Sequence, residues 1–350
     1  MFESLCCFAR RPARGLFLAT LVVSAIANVS DSHAQSASAG SDWNKVVEAA
    51  KKEGRVNFYT VAVTDVMNRL VAGFRKAYPE ISVEPFRGVN NQVMPRLEQE
   101  RASGYADGAD VFMGTELFWF EQRGRDGELA RLAGPSLQGF PSQYLRGGSI
   151  AMVGFEPYVI AYNKNLVGTP PKGYADFLRP DLKGKIGVAP AMSSATASFY
   201  EWLEKNQGPE YLQKLKDQNP KIYAGSATQL NQALGSGEIA IANFSIPALT
   251  RLLMAQGAPV DYVVPTPSLG NAMSIASFSK SKRSNAGAVF VDYVMSAEGQ
   301  VIWHGGGASA SPRGVKGSLA ADQIGIPDSG AYTDAVVKKY LERWGQIFNK

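Results

Sequence analysis

Hydroxyl side chains recur where this chain opens its helices. Ser193-Ser194-Ala195-Thr196 follows the apolar run Ile186 to Ala189 and precedes an amphipathic stretch through Phe199, Trp202 and Leu203. That order places the hydroxyls in the first turn of a helix, where unpaired N–H groups and the helix dipole favour an anion. Thr64 opens a second such stretch and Thr115 precedes a third. Three donor-rich ends could converge on one cleft and hold a phosphate, phosphonate, sulfonate or carboxylate. Each hydroxyl could equally serve only as the N-cap of its own helix. A second set, Glu116, Glu156, Trp119, Tyr158 and Tyr162, offers a carboxylate with aromatic walls, which suits an amine through charge and cation–π attraction. Core packing for the aromatics and a helix N-terminal charge for Glu116 are the alternative roles.

Other chemistry is largely excluded. The cysteines are Cys6 and Cys7, both inside the leader described below, so the mature chain has no disulfide, thiol nucleophile or thiolate metal site. His304, in VIWHGGG, is the one histidine beyond the leader, which rules out histidine clusters of the zinc type. It is expected as a favourable charge at a helix end. No G-x-S-x-G elbow is present, and Gly305 to Gly307 lacks the strand and the Lys-Ser/Thr of a phosphate loop. The expectation is a binding protein and not an enzyme, with no cofactor and no metal.

The leader is residues 1–34. Arg10, Arg11 and Arg14 precede the apolar run Leu16 to Ala27, and Ser32-His33-Ala34 supplies small residues before Gln35. The apolar run falls short of the roughly 20 residues that span a bilayer, so it reads as a secretory signal for the periplasm. Its removal lowers the formal charge from +5 to +4, since three arginines leave with Glu3 and Asp31. That mild, scattered charge argues against nucleic acid. The tightest basic cluster, Lys280, Lys282 and Arg283, is expected as a solvated loop.

These residues need a scaffold to position them. Gly54 to Glu84 reads as a strand, then a helix whose face is Val66, Met67, Leu70, Val71 and Phe74, then a second strand after Pro79. Thr64 is its expected N-cap. A βαβ crossover of this kind implies a parallel sheet with ligands beyond the strand carboxyl ends, which places Thr60 to Thr64 either at a pocket or in an ordinary βα turn. A helix follows from Gly88 with Pro95 in its first turn, then a buried strand over Asp107 to Met113. Met152 to Tyr162 is an extended crossing, with Pro157 arguing against a central strand throughout. Ile239 to Ala242 is a buried strand with Asn243-Phe244-Ser245 at its end. Tyr262 to Val264, followed by Pro265-Thr266-Pro267, marks a second crossing. The helices around Ala286 to His304 and Thr333 to Phe348 would return to the first lobe. The 350 residues, 45% hydrophobic, suit two cores.

The order of EGRVNFYTVAVTD, GADVFMG, EPYVIAYN, DLKGKIGVAPAMSSA, GEIAIAN and GAVFVDYVMSAEGQ resembles that of periplasmic solute-binding proteins of the second structural type, which serve ABC transporters. The likeness runs from about Trp43 onward. It is strongest to the ferric-iron and related extracellular subfamily. The resemblance implies a type 2, two-lobed α/β fold, each lobe a mostly parallel sheet flanked by helices, with residues 41–157 and 268–350 as one lobe and 158–267 as the other. It implies a monomer that captures a solute and delivers it to an inner-membrane ABC permease. It also implies contacts from Thr60, Thr115, Ser193, Ser194, Thr196, Asn243, Phe244 and Ser245. Ferric binders carry adjacent tyrosines just after the position of Asn243, where this chain has Phe244 and Ser245. That departure tells against iron, and the helix-opening hydroxyls make an oxyanion the expected solute. Ferric iron or a polyamine, an exported sensory module and a hydrolase stand as alternatives.

Overall fold

The computed structural model describes residues 30–104, 107–223, 227–305, 307 and 309–348, so most of the expected leader lies outside the described residues. Contacts divide the chain into two units, Met1–Asp42 and Trp43–Lys350. The described part of the first is the opening of α1 (Ser30–Glu53). Everything below belongs to the second.

β1 (Arg55–Thr60), α2 (Thr64–Ala77) and β2 (Ser82–Arg87) form the expected crossover, with β1 and β2 parallel. The buried face of α2 is the spaced set Val66, Met67, Leu70, Val71 and Phe74, because the helical period brings these to one side. Gly73 joins them. A Cβ there would lie 2.3 Å from the Tyr293 hydroxyl, so any larger residue would have to displace that side chain. Thr64 is not the N-cap. It is the first helical residue, and Val63 holds the cap position without a side-chain bond.

α3 (Asn90–Ala102) begins at Asn90, which puts Pro95 inside the helix and beyond its first turn. β3 (Val111–Gly114) pairs parallel with β1 and leads into α4 (Leu117–Arg125). Phe58, Val111 and Met113 enter one hydrophobic core while Tyr59 and Phe112 enter another. That alternation is the signature of a sheet covered on both faces. After β4 (Leu145–Arg146), β5 (Ile150–Pro157) is buried along its whole length, with Pro157 as its last residue. The missing N–H therefore falls at the strand end, and the strand is central up to it.

At Tyr158 the chain passes to a second sheet. β6 (Val159–Asn163), β7 (Ile186–Val188), α5 (Ser194–Gln207), α6 (Tyr211–Asp217), β8 (Lys221–Ile222), α7 (Ala227–Ser236), β9 (Ile241–Ser245), α8 (Pro247–Ala255) and β10 (Val260–Val263) follow. The smaller sheet has the order β10-β6-β9-β7-β8. Residues 264–267 carry the second crossing, and β11 (Ser268–Ser277) rejoins the larger sheet. Next come α9 (Ser284–Met295), α10 (Ala297–His304), β12 (Ala310–Ser311), β13 (Leu319–Ala320), β14 (Ile324–Gly325) and α11 (Asp334–Phe348). The larger sheet runs β13-β12-β5-β11-β3-β1-β2, with β14 on β11 and β4 on β5.

Several details differ from expectation. Antiparallel pairings are as numerous as parallel ones in both sheets, so neither is mostly parallel. The cause is the crossings: a chain that leaves on β5 and returns on β11 reverses direction, as it does between β6 and β10. α11 does not return to the larger sheet. Its Trp344 and Phe348 join Tyr158, Phe199 and Tyr200 in one core, and Tyr340 and Arg343 bond Glu204 of α5. Arg283 is not solvated, because Asp110 and Asp107 hold its guanidinium at 2.8 and 3.3 Å in a buried site. His304 is not a terminal charge either. It is fully buried, with Nε2 2.9 Å from the Val153 carbonyl and Nδ1 2.7 Å from Ser309 Oγ. A carbonyl only accepts, so Nε2 carries the proton and Ser309 donates to Nδ1. Burial pushes this imidazole down to about 4, so it is neutral.

Candidate functional site

A cavity of about 780 Å³ opens between elements of the two sheets. Its first wall belongs to the larger sheet. β3 ends at Gly114, and the chain turns through Thr115 and Glu116 into α4. Asn90, the first residue of α3, ties this turn down, its Nδ2 donating to Glu116 Oε1 at 2.6 Å and to Thr115 Oγ1 at 3.3 Å. Asn90 Oδ1 is buried without a partner. Asn271 and Ala272 of β11 add a further part of the lining.

The second wall is the N-terminus of α5, with Met192, Ser193, Ser194, Ala195 and Ser198. Here the two adjacent serines differ. Ser193 is the N-cap: its Oγ accepts from Thr196 N at 3.3 Å, and its N–H donates to Thr196 Oγ1 at 3.1 Å. This reciprocal box occupies both residues with their own helix. Ser194 is the first helical residue, and its hydroxyl has no hydrogen bond among the described residues. Ser194, next to the open N–H groups of the first turn, is thus the better-placed donor to a guest in the cavity.

The third wall is the segment before and into α11: Ile326, Pro327, Tyr332, Thr333, Ala335 and Val337. Tyr332 donates to Glu201 of α5. The segment runs from β14 on the larger sheet to a helix packed on α5, so it is a third covalent link between the two halves of the site.

Of the residues expected at the site, Thr115, Ser193 and Ser194 line this cavity together. Five do not line it. Thr60 is fully buried, and its Oγ1 accepts from Ala62 N at 3.0 Å, closing the turn after β1. Thr196 is buried in the α5 cap. Asn243 and Ser245 lie within β9 and not beyond its end, because the strand continues through Ser245. Asn243 Oδ1 accepts from Ala189 N at 3.2 Å and its Nδ2 donates to the Tyr200 hydroxyl at 2.9 Å. Asn243 therefore steadies the turn that leads into α5. Ser245 Oγ donates to Asn231 Oδ1 at 2.9 Å. Phe244 packs on Tyr158 with centroids 4.7 Å apart.

Of the amine-binding set, Glu116 and Trp119 line the cavity. Trp119 Nε1 donates to Glu98 at 2.6 Å, which fixes its ring. Tyr158 is buried at the first crossing and donates to Asn271 Oδ1. Glu156 is the direct cross-strand partner of Asn271. Burial, with nothing to offset it, pushes the Glu156 carboxyl up to about 7. Tyr162 is in β6, away from the lining. Among the described residues no three His, Cys, Asp or Glu side chains gather as a metal site.

Sequence reasoning missed Asn90, Asn271 and the Tyr332 to Val337 segment. Asn90 had a signal, since GVNNQ reads as a helix start. Asn271 sits inside a long strand and the last segment precedes an ordinary amphipathic helix, so neither carried a local mark.

A family model described as bacterial extracellular solute-binding protein matches residues 56–308. Among solved structures, the substrate-binding protein of an ABC transporter from Agrobacterium tumefaciens superimposes with a TM-score of 0.72 at 17% identity, over 84% of this chain and 94% of that one. The periplasmic binding protein AfuA from Actinobacillus pleuropneumoniae, solved with fructose-6-phosphate bound, gives 0.66 at 20% identity, over 85% and 99%. Both have the type 2 periplasmic binding fold found here. An uncharacterized protein of Haemophilus influenzae is 31% identical over 143 residues, so the match spans only 39% of that relative and 38% of this chain.

Proposed function

Because the chain belongs to the bacterial extracellular solute-binding protein family, whose members bind and do not transform their solutes, we propose that it captures a small solute bearing an oxyanion group in the cavity on α5. The observation that carries this reading is the composition of the walls. One comes from the larger sheet, one from the N-terminus of a helix beside the smaller sheet, and Ser194 offers between them a hydroxyl with no hydrogen bond among the described residues. Residues 41–157 with 268–326 act as one lobe and 158–267 as the other, with α11 riding on the second. A guest that bonds both lobes shifts their balance toward the closed form. In the periplasm, after loss of residues 1–34, the closed monomer is what an ABC permease would recognise.

The sugar-phosphate ligand of AfuA supports an anionic group as the handle. Ferric iron is disfavoured, since Phe244 and Ser245 stand where a ferric site needs phenolates and both are buried in β9. A thermal-shift screen of phosphate-, phosphonate-, sulfonate- and carboxylate-bearing metabolites tests the proposal. Stabilisation by anionic members is expected, and stabilisation by ferric salts with none by anions would refute it.

A further inference from the structure

Away from α5, the cavity presents an apolar face. Met94 of α3, Trp119 of α4 and Ile326 line it, each half-buried against one hydrophobic core and open on its other side. The Trp119 ring is fixed: its Nε1 donates to Glu98 at 2.6 Å, and it meets Phe112, Phe120 and Phe278 edge-on. Its one polar atom is spent within the protein, so it offers the cavity only an apolar ring. The polar side chains nearby are largely turned on one another. Asn90 Nδ2 donates to Thr115 and Glu116, and Asn271 Oδ1 accepts from Tyr158. On the α5 side Met192, 57% exposed, sets a flexible thioether next to Ser193. Large apolar side chains left open in a cavity with a few polar groups are what a ligand's apolar part covers.

A sugar or other polyol brought against this face would give up water and find no partner on Trp119 or Ile326, a cost repeated for each hydroxyl. A hydrocarbon loses nothing there and gains by leaving water. We propose that the solute is an amphipathic organic acid whose carboxylate rests on the N-terminus of α5 and whose aliphatic or aromatic body packs on Met94, Trp119 and Ile326. This rests on the reading of α5 given above, and it adds what the remainder of the solute must be. The three apolar residues then set specificity and take no part in holding the charge.

Titration calorimetry on the mature chain compares butyrate, hexanoate, octanoate and phenylacetate, with glucose 6-phosphate and inorganic phosphate as anions that lack an apolar body. From butyrate to octanoate the affinity should rise about fourfold for each methylene added. Met94→Gln, which keeps the side-chain volume, and Ile326→Ala should each flatten that rise and leave butyrate nearly unchanged, whereas Ser194→Ala should weaken every acid alike. No gain along the series, a gain indifferent to both apolar-face variants, or glucose 6-phosphate binding more tightly than octanoate and phenylacetate overturns the proposal and leaves the anion on α5 in place. A gain along the series in which Ser194→Ala weakens nothing overturns the seating of the carboxylate on α5. Absence of binding by every anion overturns both.

Discussion

Ser193 and Ser194 stand side by side at α5, yet their geometry assigns them separate consequences. Ser193 Oγ receives Thr196 N and shares a contact with Thr196 Oγ1 at 3.1 Å, so Ser193→Ala removes an N-cap. Loss of such a cap costs about 1 kcal/mol of stability. Ser194 has no such bond among the described residues, so Ser194→Ala should leave stability within about 0.5 kcal/mol of wild type, as for an ordinary surface change. Its effect should appear in binding. One hydrogen bond from a hydroxyl to a charged group is worth about 1.5 kcal/mol or more, which is roughly tenfold in affinity. Urea unfolding measures the first quantity, and calorimetry with a solute identified by the screen measures the second. The expected pattern is crossed: Ser193→Ala destabilises with a modest affinity loss, and Ser194→Ala binds weakly at full stability. If Ser194→Ala binds as well as wild type, the helix terminus is a structural cap and not the anion subsite.

Two buried titrating groups should act on stability in opposite senses. His304 is held at about 4 against an ordinary 6.5, so its contribution is complete above pH 6.5 and lost as pH falls toward 4. Glu156 is raised to about 7 against 4.5, so its contribution is complete below pH 4.5 and lost as pH rises through 7. Each amounts to roughly 3.5 kcal/mol at about 1.4 kcal/mol per unit, and the windows overlap, so in the wild type they largely cancel. Asp292, pushed up to about 6 by burial, adds to the Glu156 sense. Denaturant unfolding between pH 4.5 and 7.5 should show that Glu156→Gln gains stability on wild type as pH rises. In the same series His304→Gln should gain as pH falls. Parallel curves for wild type and either variant would mean that the group is not buried as described.

The βαβ unit was legible because its signals are local and agree: alternation in β1, the three-and-four spacing in α2 and a proline after it. The two crossings were legible for the same reason, as runs of β-forming residues interrupted by proline. Strand sense was not, because β5 and β11 are neighbours only through a return made more than a hundred residues later. α11 was misplaced since an amphipathic helix advertises an apolar face without naming the surface it will cover. At the site, a hydroxyl before a helix announced α5, but nothing local separates the cap Ser193 from the unengaged Ser194. A ligand contact at Asn243 was what the family resemblance implied for the end of this apolar strand. Its amide is instead spent on Ala189 and Tyr200, bonds that only the assembled turn can reveal.

Native mass spectrometry of freshly purified wild type and Ser194→Trp bears most directly on capture in this cavity. An indole at that position fills the space between α5 and the Thr115 turn. The wild type should carry one small organic molecule per chain, released on unfolding, and the variant should be bare while remaining folded. The same adduct on both proteins would place the solute elsewhere and contradict the account.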